Sequence, residues 1–258
     1  MRPNPNYMDL QQDIQWSMRS VLVDWVVQVH HRFQLLPETL FLAVNYIDRF
    51  LSVKIVSVGK LQLVGATALF LAAKYEEVNC PSIQEIVYMV DNGYSVDEIL
   101  KAERFMLTML RFELGWPGPM SFLRRISKAD DYDLETRTLA KYFLEITICD
   151  ERFVDCTPSF TAAGAHCLAR MMLHKGDWTT GHVYYSNYTY SQIRHLLATM
   201  LECCEEPEKH HNAVYQKYTD RRFKRASLFV QTEMKKGFAL PSCNKLSVTS
   251  ARGDTREW

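Results

Sequence analysis

Glycine is scarce, ten residues in 258, which leaves little material for the bulges and tight turns of sheet proteins. No apolar run approaches the roughly 20 residues of a bilayer span. The opening stretch, Met1 to Gln15, is polar and rich in Pro and Asn instead of carrying the apolar core of a secretory leader, so a soluble, non-secreted chain is expected. Charge of one sign is missing as well: thirty Lys and Arg balance thirty Asp and Glu, and no global field draws the chain to nucleic acid or an anionic membrane. Any partner has to be recognised by a local surface. The seven cysteines (Cys80, Cys149, Cys156, Cys167, Cys203, Cys204, Cys243) form no C-x-x-C pair and no metal-finger spacing, and read as reduced thiols of a cytosolic or nuclear protein. A Gly-rich phosphate loop, a His-Glu-x-x-His pair and a Gly-x-Ser-x-Gly elbow are all absent, which disfavours an enzyme. No cofactor and no metal site is expected. The pairs His30-His31 and His210-His211 do not alter that, because adjacent residues point different ways on a helix.

What the chain does have is 47% hydrophobic residues, recurring at three- and four-residue spacing. That pattern predicts an all-α protein with helices near 16–34, 38–52, 57–75, 82–91 and 95–112. After the break Gly115-Trp116-Pro117-Gly118-Pro119, further helices are expected near 120–128, 134–150, 158–174, 190–204 and 208–235. Pro37, Pro81 and Pro158 each stand near a first turn, where a missing N–H does no harm. A shift of 97 positions without a gap pairs Ala43 with Ala140, Tyr46 with Phe143, Ile47 with Leu144 and Asp48 with Glu145. In the same register Gly65, Ala66, Ala68, Leu71 and Ala72 meet Ala162, Ala163, Ala165, Leu168 and Ala169. A helix lined with small residues lets neighbours approach closely, so a duplicated helical bundle with a central helix is inferred; the bland alternative is that Ala-rich helices look alike. At that shift Lys74 meets Met171, Glu103 meets Met200 and Arg19 meets Trp116, so the first copy keeps charges that the second lacks.

Met18 to Val29 is apolar on nearly every face of a helix and has to be covered all round. Its one cation, Arg19, needs a carboxylate partner, for which Asp48 is the candidate; breaking such a buried pair costs roughly 3–5 kcal/mol. Snorkelling of Arg19 to water is the alternative.

The stretch Met18 to Trp25, then Leu42-Ala43-Val44-Asn45-Tyr46-Ile47-Asp48-Arg49-Phe50-Leu51, Lys60-Leu61-Gln62-Leu63-Val64-Gly65 and Lys74-Tyr75-Glu76-Glu77, closely resembles the cyclin box in order and spacing. Pro158-Ser159-Phe160-Thr161-Ala162-Ala163 and Leu168-Ala169-Arg170 resemble the second fold of mitotic B-type cyclins, fungal ones in particular. The resemblance spans roughly residues 5–236. It implies two tandem five-helix repeats, a kinase-binding cyclin box 15–116 and a second cyclin fold 117–236, behind a lead segment 1–14; the tail 237–258 resembles nothing and is expected to be disordered. The resemblance also implies a non-catalytic subunit that binds and activates a cyclin-dependent serine/threonine kinase at the G2/M transition, in nucleus and cytoplasm. Lys74 and Glu103 match the family's hydrogen-bonding residues at the kinase, with Tyr75, Phe112 and Leu114 at positions of apolar contacts. Without the resemblance, Lys74 is a solvated cation near the last carbonyls of a helix and Glu103 an exposed charge.

Two further sites follow from the resemblance. Met18, Val21, Leu22 and Trp25, with Leu61 and Gln62, match a groove that receives Arg-x-Leu type docking peptides of substrates or inhibitors; Gln28 stands where several relatives place Glu, and simple core packing is the alternative. Arg124, Arg137 and Lys141, with Arg125 nearby, match an anion pocket, unless Asp130, Asp131, Asp133 and Glu135 neutralise that face. Relatives carry a degradation signal and a kinase-touching helix ahead of the box, neither of which is recognised here, and Arg19-Ser20-Val21-Leu22 lies within an apolar helix; a fragment or shortened product is expected. The rival reading is a transcription-factor-like cyclin-fold scaffold bound to nucleic acid or other proteins, which salt-dependent retention on DNA would support. Arg252-Gly253-Asp254 is read as accidental.

Overall fold

The computed structural model describes residues 1–241, and among these every regular element is helical. The expected tail lies outside the described residues from position 242 on, as do Cys243 and Arg252-Gly253-Asp254. The first repeat consists of α1 (Trp16–Arg32), α2 (Pro37–Leu51), α3 (Val58–Glu76), α4 (Ile83–Met89) and α5 (Val96–Met109). The second consists of α6 (Pro119–Ile126), α7 (Leu134–Thr147), α8 (Pro158–Met172), α9 (Thr180–Ser186) and α10 (Tyr190–Cys203). An extension follows: α11 (Pro207–His210), α12 (Asn212–Lys217) and α13 (Ala226–Lys235).

Two expectations need correction. Helix α9 had not been anticipated, although a shift of 97 places it on α4 residue for residue. Ser82 caps α4 in a box with Glu85, and Thr179 caps α9 in a box with His182; a histidine at that position does not resemble the usual Glu or Gln. The single helix expected over 208–235 is three helices. His211 leaves helical geometry between α11 and α12, and the Asp220 carboxylate captures the Arg222 N–H ahead of two left-handed residues, Lys224 and Arg225. Two successive left-handed residues end any helix.

Helices α3 and α8 run through the middle of their repeats, buried along most of their length. Their small residues admit neighbours, but different ones. A Cβ on Gly65 would stand 2.7 Å from Leu22 Cδ1 of α1, whereas one on Gly164 would collide with Leu196 of α10. The apolar coat of α1 is explained by partners on two sides: α3 of its own repeat and α12 of the extension. Asp24 Oδ1 accepts the Ala213 N–H at 2.7 Å and so anchors the first turn of α12 on α1. Residues 1–14 are pinned to the first repeat, with Tyr7, Met8 and Ile14 buried. The Gln11 amide donates to the carbonyls of Leu51 and Lys54, both at 2.8 Å, and its oxygen accepts the Val56 N–H.

Candidate functional site

Arg19 is 2% exposed, so its charge is met inside the protein. Nε and Nη2 donate to the two oxygens of Asp48, each at 2.7 Å, and Nη1 donates to the Ile148 carbonyl at the end of α7 at 3.0 Å. Tyr7 adds a fourth bond, its hydroxyl donating to Asp48 Oδ1 at 2.9 Å. The cluster therefore locks lead segment, first repeat and second repeat together. Of the stretch Arg19-Ser20-Val21-Leu22, Arg19 and Leu22 are buried and Val21 is exposed.

Lys74, in the last turn of α3, and Glu103, mid-α5, are brought together: Nζ donates to Oε1 at 2.7 Å, and the ammonium sits 4.1 Å from the centre of the Phe70 ring. The Lys74 side chain is 41% exposed and that of Glu103 is 11%. Both charges are satisfied by each other, yet Lys74 keeps further donors and Glu103 a second oxygen for a partner at the surface. Around them lies apolar surface that a monomer would normally cover. Phe112 is 70% exposed and Tyr75 50%, while Leu114 is half-buried. Arg111 and Phe112 are both left-handed, at φ +56° and +57°, a conformation that costs roughly 1–2 kcal/mol for a residue with a Cβ. The surroundings enforce it: Phe112 N–H reaches the Leu107 carbonyl at 3.0 Å, Arg49 Nη1 binds the Glu113 carbonyl at 2.8 Å, and Tyr46 hydroxyl binds that of Leu114 at 2.9 Å. The exit of α5 is thus held in a shape that displays an aromatic ring. Val78, almost fully exposed, continues this apolar segment; a lone Val after Glu77 has no periodicity to single it out in the sequence.

Met18, Val21, Leu22, Trp25, Leu61 and Gln62 do line one groove, between α1 and the start of α3, together with Ser17 and Val58. Leu22 and Leu61 are core residues forming its floor, Met18 and Trp25 are half-buried walls, and Val21 and Val58 are exposed rims. Gln28 does not line it: its amide is spent on Asp24 Oδ2 at 3.0 Å, one turn beyond Trp25.

Three of the four acidic residues that threatened to neutralise the basic cluster are engaged elsewhere. Asp130 takes His166, Arg170 and His182, which hold its carboxyl far below the ordinary range despite burial, while Asp133 and Glu135 take Lys175. Among the described residues no ion pair is formed by Arg124, Arg137 or Lys141. Burial lowers the pKa of Lys141, and Arg137 one turn away lowers it further, while Glu38 opposes both; Arg137 Nε is buried without a partner. Arg124 lines a hollow with the same Glu38. Arg125 is directed away, its Nε on the Tyr185 carbonyl at 2.7 Å.

The second repeat has apolar residues at the positions of both charges. Met200, at the position of Glu103, is fully buried. Met171, at the position of Lys74, shares a hollow with Glu233 and Phe238, at and just beyond the end of α13.

Two bundles of five helices, the first presenting an ion pair amid exposed aromatics, place this chain in the cyclin family, to which it belongs: the model of the cyclin N-terminal domain matches residues 1–115 and that of the cyclin C-terminal domain residues 117–232. Within the family it is similar to G2/mitotic-specific cyclin-4 of Candida albicans, with 64% identity over 229 residues, 89% of this chain and 47% of that one. It is 58% identical to G2/mitotic-specific cyclin-3 of Saccharomyces cerevisiae over 89% of this chain and 54% of that protein. The chain spans about half the length of these relatives. A viral cyclin from herpesvirus saimiri shares the fold, at a TM-score of 0.68 and 19% identity over 76% of this chain and 89% of the viral one.

Proposed function

We propose that this chain is the regulatory, non-catalytic subunit of a cyclin-dependent serine/threonine kinase acting at the G2/M transition, in nucleus and cytoplasm. The observation that carries the reading is the Lys74–Glu103 pair set beside exposed Tyr75 and Phe112 and half-buried Leu114, a pair that the second repeat replaces with Met171 and Met200. Phosphoryl transfer in a kinase needs a Lys–Glu ion pair that forms when its mobile helix sits inward. A rigid partner surface that binds the inward pose more tightly shifts the kinase towards it, and a change from 1:99 to 99:1 takes about 5.5 kcal/mol of differential binding. An apolar edge with two charged groups at its centre suits that task. The α1–α3 groove is the proposed seat of Arg-x-Leu type docking peptides, and Arg124, Arg137 and Lys141 that of a phosphate-bearing partner. The similarity to mitotic cyclins favours this reading over a scaffold on nucleic acid. The test is to mix the chain with a monomeric cyclin-dependent kinase and follow histone phosphorylation. The unmodified chain is expected to stimulate and the double variant Lys74→Ala, Glu103→Ala to lose most of that effect; equal stimulation by both refutes the assignment.

A further inference from the structure

The extension leaves the second repeat through a cluster with no part in the surfaces above. Asp150 follows α7, Cys203 closes α10 and His210 closes α11. Asp150 Oδ2 lies 3.0 Å from His210 Nε2 and 3.3 Å from Cys203 Sγ, and the three ligand atoms all fall within 4.8 Å of one another. We propose that Asp150, Cys203 and His210 bind one divalent transition-metal ion of the zinc type, with solvent in the fourth position.

The donor set is one thiolate, one imidazole and one carboxylate, which suits zinc and not the oxygen-seeking magnesium or calcium. The outer shell is already built. His210 Nδ1 is 2.9 Å from Nδ1 of the wholly buried His211, whose Nε2 is 3.0 Å from the Tyr142 hydroxyl. A metal on His210 Nε2 leaves Nδ1–H to donate to His211 Nδ1, and His211 Nε2–H then donates to the Tyr142 oxygen. Such outer bonds are what orient a ligating histidine. Arg152 is the competitor, with Nη2 at 2.8 Å from Asp150 Oδ2 and 3.3 Å from Cys203 Sγ. Its side chain is 45% exposed and Nη1 already holds Glu202 at 2.6 Å, so it has a place to swing. On binding, the Cys203 thiol releases its proton to solvent and its sulfur bonds the ion. The other histidine cluster, Asp130 with His166 and His182, has no such freedom: buried Arg170 occupies that carboxylate and pairs with no other. Adjacent His210 and His211 do not chelate as a pair; the fold recruits Cys203 and Asp150 to one of them and uses the other behind it. The ion would clip the junction from which α12 reaches back to α1.

Cobalt titration of the whole chain tests this. One equivalent is expected to give the visible bands of a four-coordinate ion and a near-ultraviolet thiolate-to-cobalt band, both abolished by zinc. Cys203→Ser should remove the thiolate band and His210→Asn should weaken binding at least about tenfold, with helical circular dichroism retained, while Cys156→Ser changes neither. A thiolate band that survives Cys203→Ser, or a native chain that takes up no cobalt at micromolar concentration, overturns the site. Should Cys203→Ser fail to fold, His210→Asn decides alone, and unchanged affinity overturns the proposal.

Discussion

The two repeats meet the same need with different parts. At matching positions of α2 and α7 stand buried carboxylates, Asp48 and Glu145, and each receives a cation and a tyrosine hydroxyl. For Asp48 these are Arg19 of α1 and Tyr7 of the lead segment. For Glu145 they are Lys217 Nζ, 2.8 Å from both oxygens, and Tyr218 hydroxyl, also at 2.8 Å, both from the extension. Arg19 has no counterpart in the second repeat, where Trp116 takes its position, so the second carboxylate is neutralised from downstream. A buried charge has to be met from somewhere, and here that requirement draws the extension onto the second repeat. The same extension borders Met171 through Glu233 and Phe238, whereas Lys74 at the matching position of the first repeat is paired with Glu103. On the proposed reading, partner recognition falls to the copy that keeps the Lys74–Glu103 pair.

Removing the cations tests that parallel most severely. Arg19→Ala and Lys217→Ala should each cost about 3–5 kcal/mol in urea unfolding, with Arg19 the larger because it also holds Ile148 across the repeats. A loss below about 1 kcal/mol for either would break the comparison. Next comes acid. Burial pushes His30 in the first repeat down to about 4 and His211 beside the second down to about 3. The unfolded chain therefore takes up these protons first, near pH 6.5. Stability is full above that pH and falls by about 1.4 kcal/mol per pH unit per histidine below it, which amounts to about 3 kcal/mol for His30 by pH 4. His30→Gln should remove that histidine's share of the slope between pH 7 and pH 4.5 in denaturant melts and leave the share of His211; an unchanged slope contradicts the assignment.

A smaller effect separates the two edges. Phe112→Ala is expected to weaken kinase binding by about 2 kcal/mol, roughly thirtyfold, in calorimetry, whereas Met171→Ala leaves the affinity where it was. Equal losses would mean that the second repeat also touches the kinase. Smallest are the caps. Ser82→Ala and Thr179→Ala should each lower stability by about 1 kcal/mol, and a clear difference between them would show that His182 is a weaker box partner than Glu85.

The helices of the first repeat were legible because spacing and prolines agree there with the final packing. In the second repeat the same logic missed α9, where His182 stands in for a carboxylate, although following the 97-residue register beyond α8 would have found it. The pairing of Asp48 with Glu145 was visible as a register match. That Lys217 and Tyr218 answer Glu145 was not, since 72 and 73 residues separate them. For the candidate site, the residue types at Lys74, Glu103, Tyr75 and Phe112 stood out by resemblance, while the left-handed backbone that displays Phe112 has no signature in the residues Arg111 and Phe112 themselves.

Local pattern alone determined a duplicated all-helical chain with close-packed central helices, because periodicity and small side chains are properties of neighbouring residues. Which acids remain to neutralise the basic cluster, how Glu145 is met by Lys217, and how Asp150, Cys203 and His210 converge were decided only by tertiary structure. Those outcomes depend on where the extension returns to the bundle, and long-range closure of that kind is set by buried charges seeking partners far away in sequence.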